Sequence, residues 1–142
     1  MSTKMTTSER EDFLADVHVG ILGITTDSGP LAVPIWYDYS PGGEITVITS
    51  ADSVKGRALD ATGRFSLCTQ TETLPYKYVT VEGSVVSSEP CPEDIVRAME
   101  YRYLGPEMGD AYVAATAAEN SGNLYRLTPE RWYTVDYAKS FG

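Results

Sequence analysis

Apolar and polar positions alternate with a period of two along most of this chain. VGILGITT (19–26), LAVPIWYDYS (31–40), EITVITS (44–50), RFSLCTQT (64–71) and KYVTVEGSVVSS (77–88) read as strands, with NLYRLT (123–128) and RWYTVDY (131–137) closing the series across Pro129. Turn chemistry separates the first three: Asp27-Ser28-Gly29-Pro30, then Ser40-Pro41-Gly42-Gly43. Helical spacing occurs in three places. Ser8 with Glu11 forms a capping-box pattern that opens a short helix, with Phe13, Leu14 and Val17 as its apolar stripe. Asp52 or Ser53 caps a helix over Val54 to Ala61. Pro92, followed by Glu93 and Asp94, starts a helix through Leu104 that Gly105-Pro106 stops. A further short Ala-rich helix is expected over Asp110 to Glu119, leaving through Asn120-Ser121-Gly122.

Six to seven strands of mostly antiparallel, hairpin-like spacing with short helices predict a mainly β fold, a small antiparallel β-barrel with its helices packed outside. The helices are too few and too irregularly placed for a doubly wound sheet. No repeat, low-complexity tract or linker divides the chain, so residues 1–142 form one domain, with 1–8 expected to be flexible.

Composition narrows the partners. A net charge of -9 argues against nucleic acid and anionic membrane surfaces, both of which need a broad positive face. No apolar run approaches the ~20 residues of a membrane span. The polar start, MSTKMTTSERED, lacks the apolar segment of a secretory signal. Cys68 and Cys91 are isolated, without metal-type spacing, which suits a reduced cytoplasmic protein; a disulfide between them is the minor alternative. Ten tyrosines against three phenylalanines suit sheet faces and pockets where one ring edge stays wet.

Several chemistries are missing. There is no Walker-type loop and no Gly-rich dinucleotide turn. The single histidine, His18, sits between two valines, where a packed or surface role is the ordinary reading. Ser-His-Asp, Cys-His and zinc sites all need more than it offers. An enzyme built on this sequence needs a cofactor to carry its chemistry.

Two constellations remain. Along Ala32 to Tyr39, one strand face holds Ala32, Pro34, Trp36 and Asp38, and the other holds Val33, Ile35, Tyr37 and Tyr39. A proline within a strand marks an edge, a bulge or a close approach to the backbone, and Pro34 beside Trp36 suits a planar ring lying against main chain. An ordinary sheet edge with core aromatics accounts equally well for the spacing. The second constellation is Thr49, Ser50, Ser53 and Lys55. No Lys or Arg occurs between Arg10 and Lys55, after which Lys55, Arg57 and Arg64 arrive together. Hydroxyls and a lysine at a helix N-terminus suit a phosphate, while a capped helix with solvated charges is the plainer reading.

The succession LAVPIWYDYS, EITVITSADSVKGRAL, RFSLCTQTE, KYVTVEGSVV resembles the pyridoxamine 5'-phosphate oxidase-like split β-barrel superfamily, which binds FMN or F420. Its nearest likeness is to the short flavin/deazaflavin oxidoreductases of the B type. The resemblance implies a homodimer with two cofactor sites at the subunit interface. By position, the strand Val33 to Asp38, with Pro34, Ile35 and Trp36 at its centre, runs along the ring. Ile48, Thr49 and Ser50 reach the ribityl chain and phosphate, Lys55 contacts the phosphate, and Ser53 and Arg57 complete that end. Tyr78, Trp132 and Tyr133 contribute from the partner subunit. Val33, Asp38 and Val54 stand where true pyridoxamine phosphate oxidases carry basic residues, and the C-terminal RWYTVDYAKSFG lacks their basic and histidine residues. Pyridoxamine phosphate oxidation is therefore not expected, and a longer anionic tail on Lys55 and Arg57 favours F420 over FMN.

The resulting expectation is an F420-dependent oxidoreductase that passes hydride to an electron-poor double bond of a small apolar or conjugated substrate, with Tyr37 or Tyr133 as proton donor. FMN is the alternative cofactor. The rivals are a non-catalytic flavin, haem or lipid carrier and a ligand-free partner-binding domain.

Overall fold

The computed structural model describes residues 2–119 and 122–141. Its elements run α1 (Thr7–Ala15), β1 (Gly20–Thr26), β2 (Gly29–Ile35), β3 (Asp38–Tyr39), β4 (Ile45–Thr49), α2 (Val54–Thr62), β5 (Arg64–Gln70), β6 (Lys77–Pro90), α3 (Glu93–Ala115) and β7 (Asn123–Asp136), ending in a 3-10 turn over Tyr137–Ser140. The strands form one seven-stranded antiparallel sheet in the order β2-β1-β5-β6-β7-β4-β3. Its two edges, β2 and β3, are separated in the chain only by Trp36 and Tyr37, so a single stretch runs from one edge of the sheet to the other and brings it round into a barrel.

The interruption at Tyr37 has a local cause. Its N–H donates to the Tyr103 hydroxyl at 2.9 Å, and its carbonyl accepts from Arg102 Nε at 3.1 Å. Side chains of α3 thus take the backbone groups that a sheet neighbour would otherwise satisfy. The strand LAVPIWYDYS is accordingly two strands with a break.

Alternation along this stretch is as the sequence suggests. Val33, Ile35, Tyr37 and Tyr39 pack in or against the core, while Ala32, Pro34 and Asp38 are exposed and Trp36 is half-buried. Leu22, Ile45, Leu67, Val81 and Leu127 fill the barrel, and Leu14 of α1 and Leu59 of α2 join them. Each such fully buried aliphatic side chain contributes about 2 kcal/mol of transfer free energy.

Several boundaries differ from expectation. The cap of α1 is Thr6 with Glu9, two residues earlier than Ser8 and Glu11, so Val17 falls beyond the helix and is exposed. Described residues of the amino-terminal segment make contacts with the barrel: Asp136 N donates to Thr3 O at 2.8 Å, Met5 is buried, and Thr7 and Ser8 are already helical; Met1 lies outside the described residues. The two closing strands are one. Pro129 sits opposite Gly83, where the β6–β7 register shifts, and a Cβ at Gly83 would overlap the Thr128 carbonyl. A proline tolerated at a bulge does not end a strand. Within α3 the first helix does end at Gly105 (φ 76°, ψ 176°), as expected, but the next resumes at once with Pro106 rather than at Asp110, with Tyr101 bonded across the kink to Asp110. Of the predicted exit, Asn120 and Ser121 lie outside the described residues. Cys68 and Cys91 are both free thiols.

Candidate functional site

The outer faces of β2 and β4 and the inner flank of α3 enclose a cleft of about 430 Å³, lined by Val19, Pro34, Ile35, Trp36, Ile48, Val96, Met99, Glu100 and Tyr112. Four expected cofactor contacts, Pro34, Ile35, Trp36 and Ile48, therefore meet in one place. Strand alternation explains the meeting: Ile48 is on the outward face of β4, between the buried Val47 and Thr49.

Helix α3 supplies the opposite wall, and sequence reasoning missed it. Val96, Met99 or Glu100, and Tyr103 recur at helical spacing, a signal that identifies a face but not what the face covers. Tyr103 lies flat on Trp36, with ring centroids 4.9 Å apart and planes 4° from parallel; Tyr112 tilts toward the same indole at 6.4 Å. Such contacts are worth about 1 kcal/mol beyond area burial. Below the stack, the Tyr103 hydroxyl lies 2.7 Å from His18 O and 2.9 Å from Tyr37 O, and its one proton serves either. Arg102 donates to Ala15 O at 3.0 Å and Asp16 O at 3.2 Å, and pairs with Asp38 at 3.4 Å. Together the two residues fasten α3 to the ends of α1 and β2. Burial pushes the Tyr103 phenol above its ordinary pKa, keeping it neutral.

At the α2 end the hydroxyls are occupied. Ser53 caps α2: its Oγ accepts from Gly56 N at 3.0 Å and donates to Ser50 O at 2.6 Å. Thr49 Oγ1 lies 3.2 Å from Ser53 Oγ, and Ser50 Oγ accepts from Asp52 N at 3.2 Å. Gly56 is required here, because a Cβ would overlap the Ser50 carbonyl and force the helix away from the loop. The groups this end offers an anion are the first-turn N–H groups of Val54 and Lys55, which have no intrahelical acceptor, and the side chains of Lys55 and Arg57. Among the described residues, neither cation forms a salt bridge.

The remaining candidates lie elsewhere. Tyr37 faces the barrel interior, fully buried, with its hydroxyl donating to Leu14 O at 2.7 Å and its pKa raised chiefly by burial. It has no access to the cleft, which removes it as a proton donor. Trp132 belongs to the inward register row Val33–Leu22–Leu67–Val81–Trp132 and carries the Arg10 guanidinium 4.7 Å above its ring. It is a core-sealing residue, and alternation turns it away from the face that Tyr133 occupies. Tyr133 ends the outward row Pro34–Ile21–Cys68–Thr80–Tyr133, with Tyr78 on the same face. Four strand spacings, roughly 19 Å, separate Tyr133 from Pro34.

The closed seven-stranded sheet with helices packed outside is a split β-barrel, and the sequence agrees. The family model described as pyridoxamine 5'-phosphate oxidase matches residues 6–136, and the chain belongs to that family. No curated protein matches the sequence. Among solved structures, a conserved hypothetical protein from Mycobacterium tuberculosis is 23% identical with a TM-score of 0.75, covering 99% of this chain and 91% of that one. A protein described as an F420 reductase is 18% identical, TM-score 0.69, covering 87% and 94%. A FAD-binding protein from Mesorhizobium loti is 19% identical, TM-score 0.60, covering 92% and 94%. At these identities the likeness is one of fold.

Proposed function

We propose that this protein is an oxidoreductase that binds a reduced deazaflavin, coenzyme F420, in the cleft and delivers hydride to an electron-poor double bond of an apolar or conjugated substrate. The observation that carries the reading is the makeup of the cleft. Pro34, Ile35 and Trp36 floor an apolar and aromatic cavity that also includes Ile48 of β4, the strand whose following loop leads into the helix start bearing Lys55 and Arg57.

The residues present fit such a group. The cleft's volume is in the range of small-molecule sites, and its walls are mostly apolar and aromatic. Bound there, the cofactor supplies the hydride. The chain orients the ring between the Pro34–Trp36 backbone and α3, excludes water with Val96 and Met99, and holds the anionic tail on Lys55, Arg57 and the Val54 and Lys55 N–H groups. Ser50 and Ser53 act by shaping that helix start, and Thr49 by supporting Ser53. FMN is the alternative cofactor, with a shorter tail on the same cations.

The protein acts as a homodimer in this reading. Val19 and Ile21 are exposed beside the cleft and continue the apolar outward face toward Tyr78 and Tyr133. Tyr133, too distant within one chain, reaches a cleft only from the other subunit, where it is the one left of the two expected proton donors, Tyr37 and Tyr133. Pyridoxamine phosphate oxidation is not proposed, because Val33, Asp38 and Val54 replace the basic residues it uses.

Titration of the purified protein with F420 and FMN, followed by fluorescence, tests the reading. Saturable F420 binding that Lys55→Ala weakens about tenfold, ~1.4 kcal/mol, supports it. Absence of binding by either cofactor overturns it. Tight binding without turnover of enones, quinones or imines instead assigns a carrier, which the scarcity of acid/base groups in the cleft also favours.

A further inference from the structure

Glu100 is the one charged side chain lining the cleft among the described residues, and only 6% of it is exposed. Its partner is Arg97, whose Nη1 lies 3.4 and 3.3 Å from the two carboxylate oxygens, while Nη2 of the same guanidinium is committed to Glu93 at 2.9 Å. One cation serves two carboxylates, so the group keeps a net negative charge. A carboxylate has about four lone-pair sites, and two long bonds to one donor leave acceptor capacity unused. Such a group, set in an apolar wall, gains from any further cation or donor brought to it.

The surroundings have the same polarity. Val96, Glu100 and Tyr112 also line an adjoining recess of about 280 Å³, whose other walls include Glu93, Arg97 and Glu119. The rings of Trp36 and Tyr112 line the same cleft as Glu100, and aromatic faces attract cations. An anionic ligand group placed there meets Glu93 and Glu100, whose two charges the single Arg97 guanidinium does not balance.

We infer that Glu100 is a specificity-determining residue, which makes the cleft select a planar apolar ligand bearing a cationic nitrogen and reject its anionic counterpart. The inference rests on the reading of this cleft as a ligand site and adds the charge class of the substrate to it.

Two dyes with one three-ring frame test it at neutral pH without any cofactor: proflavine, a planar cation, and acridine-9-carboxylate, a planar anion. The expected result is at least about tenfold tighter binding of proflavine, reduced below about threefold by Glu100→Gln and retained in Glu100→Asp. The overall acidity of the protein attracts any cation, so Asp27→Asn, which removes one charge from the exposed β1–β2 turn away from the cleft, is the control and keeps the preference. Val96→Lys, on the same wall but at a half-exposed helix position, places a competing cation beside Glu100. It abolishes the preference independently of how well Glu100→Gln folds. An unchanged preference in Glu100→Gln or in Val96→Lys, an equal loss in Asp27→Asn, or no binding of either dye overturns the inference. Because no cofactor is present, failure to bind F420 or FMN leaves this result standing, and cofactor binding without charge preference sinks the role of Glu100 alone.

Discussion

The indole of Trp36 and the phenol of Tyr103 are stacked within 4° of parallel, and the hydroxyl of that phenol holds the backbone at the break between β2 and β3. Ring and hydroxyl therefore do separable work. Tyr103→Phe leaves the stack but strips Tyr37 N and His18 O of a partner. The expected loss is about 1–3 kcal/mol, read by urea denaturation, with the Trp36 emission unchanged in a Trp132→Phe background. Tyr103→Leu removes the stack as well and shifts that emission. An emission change already present in Tyr103→Phe would contradict the division.

Arg102 spreads one guanidinium over the carbonyls of Ala15, Asp16 and Tyr37. Arg102→Met keeps the stem and loses every donor. It is expected to cost about 2–3 kcal/mol and to expose amides of α3 and of residues 35–38 to hydrogen exchange well before those of β5 and β6. Uniform loss of protection across the sheet would argue against a local fastening.

Gly56→Ala sets two effects against each other. Alanine gains up to about 1 kcal/mol in helix propensity, whereas overpacking costs about 1–3 kcal/mol. The atom that Cβ would overlap is the Ser50 backbone carbonyl, which cannot swing aside like a side chain, so the penalty wins. A net destabilisation of about 1 kcal/mol or more is expected in chemical denaturation. A stabilised variant would show that α2 does not need its close approach to the loop.

His18 stacks on Phe13 at 4.5 Å, and its Nε2 is buried with no hydrogen-bond partner. Burial lowers its pKa below the ordinary 6.5, opposed by Asp16 and reinforced by Arg102. With the folded pKa below the unfolded one, the unfolded state takes up the proton first. Stability is thus full above pH 6.5 and falls as pH drops through the interval below it. Glu9, held at about 2 by Lys139 and Thr6, loses its contribution only below its ordinary 4.5. Thermal midpoints between these two ranges isolate the histidine: the wild-type protein should decline toward acid and His18→Gln should stay flat. Parallel curves would assign the decline elsewhere.

Much of this architecture was legible in the sequence because alternation and turn chemistry are local. Val33, Ile35, Tyr37 and Tyr39 sort to one face by period two alone, and a cap at Asp52 or Ser53 is readable before Val54, the structure using Ser53. What escaped was set by distant partners. Nothing near Tyr37 says that its amide will be taken by Tyr103, sixty-six residues away, and nothing near Pro129 reveals that Gly83 makes room for a bulge. Tyr37 and Trp132 looked like site residues by type and place, yet the parity of their strands turned both inward. The far wall of the cleft was invisible for a related reason: an amphipathic stripe on α3 does not name the strand it will cover.

β4 finds its neighbour in β7, with Ile45 against Leu127 and Thr49 against Asn123. On a ribosome, β4 is complete long before that neighbour exists, and its hydrogen-bonding edge must wait for nearly the whole chain to be made. Folding is therefore gated by the last strand to emerge. A chain stalled or clipped before residue 123 keeps Ile45, Val47 and an unpaired edge open to other molecules, the setting in which strand-to-strand aggregation begins.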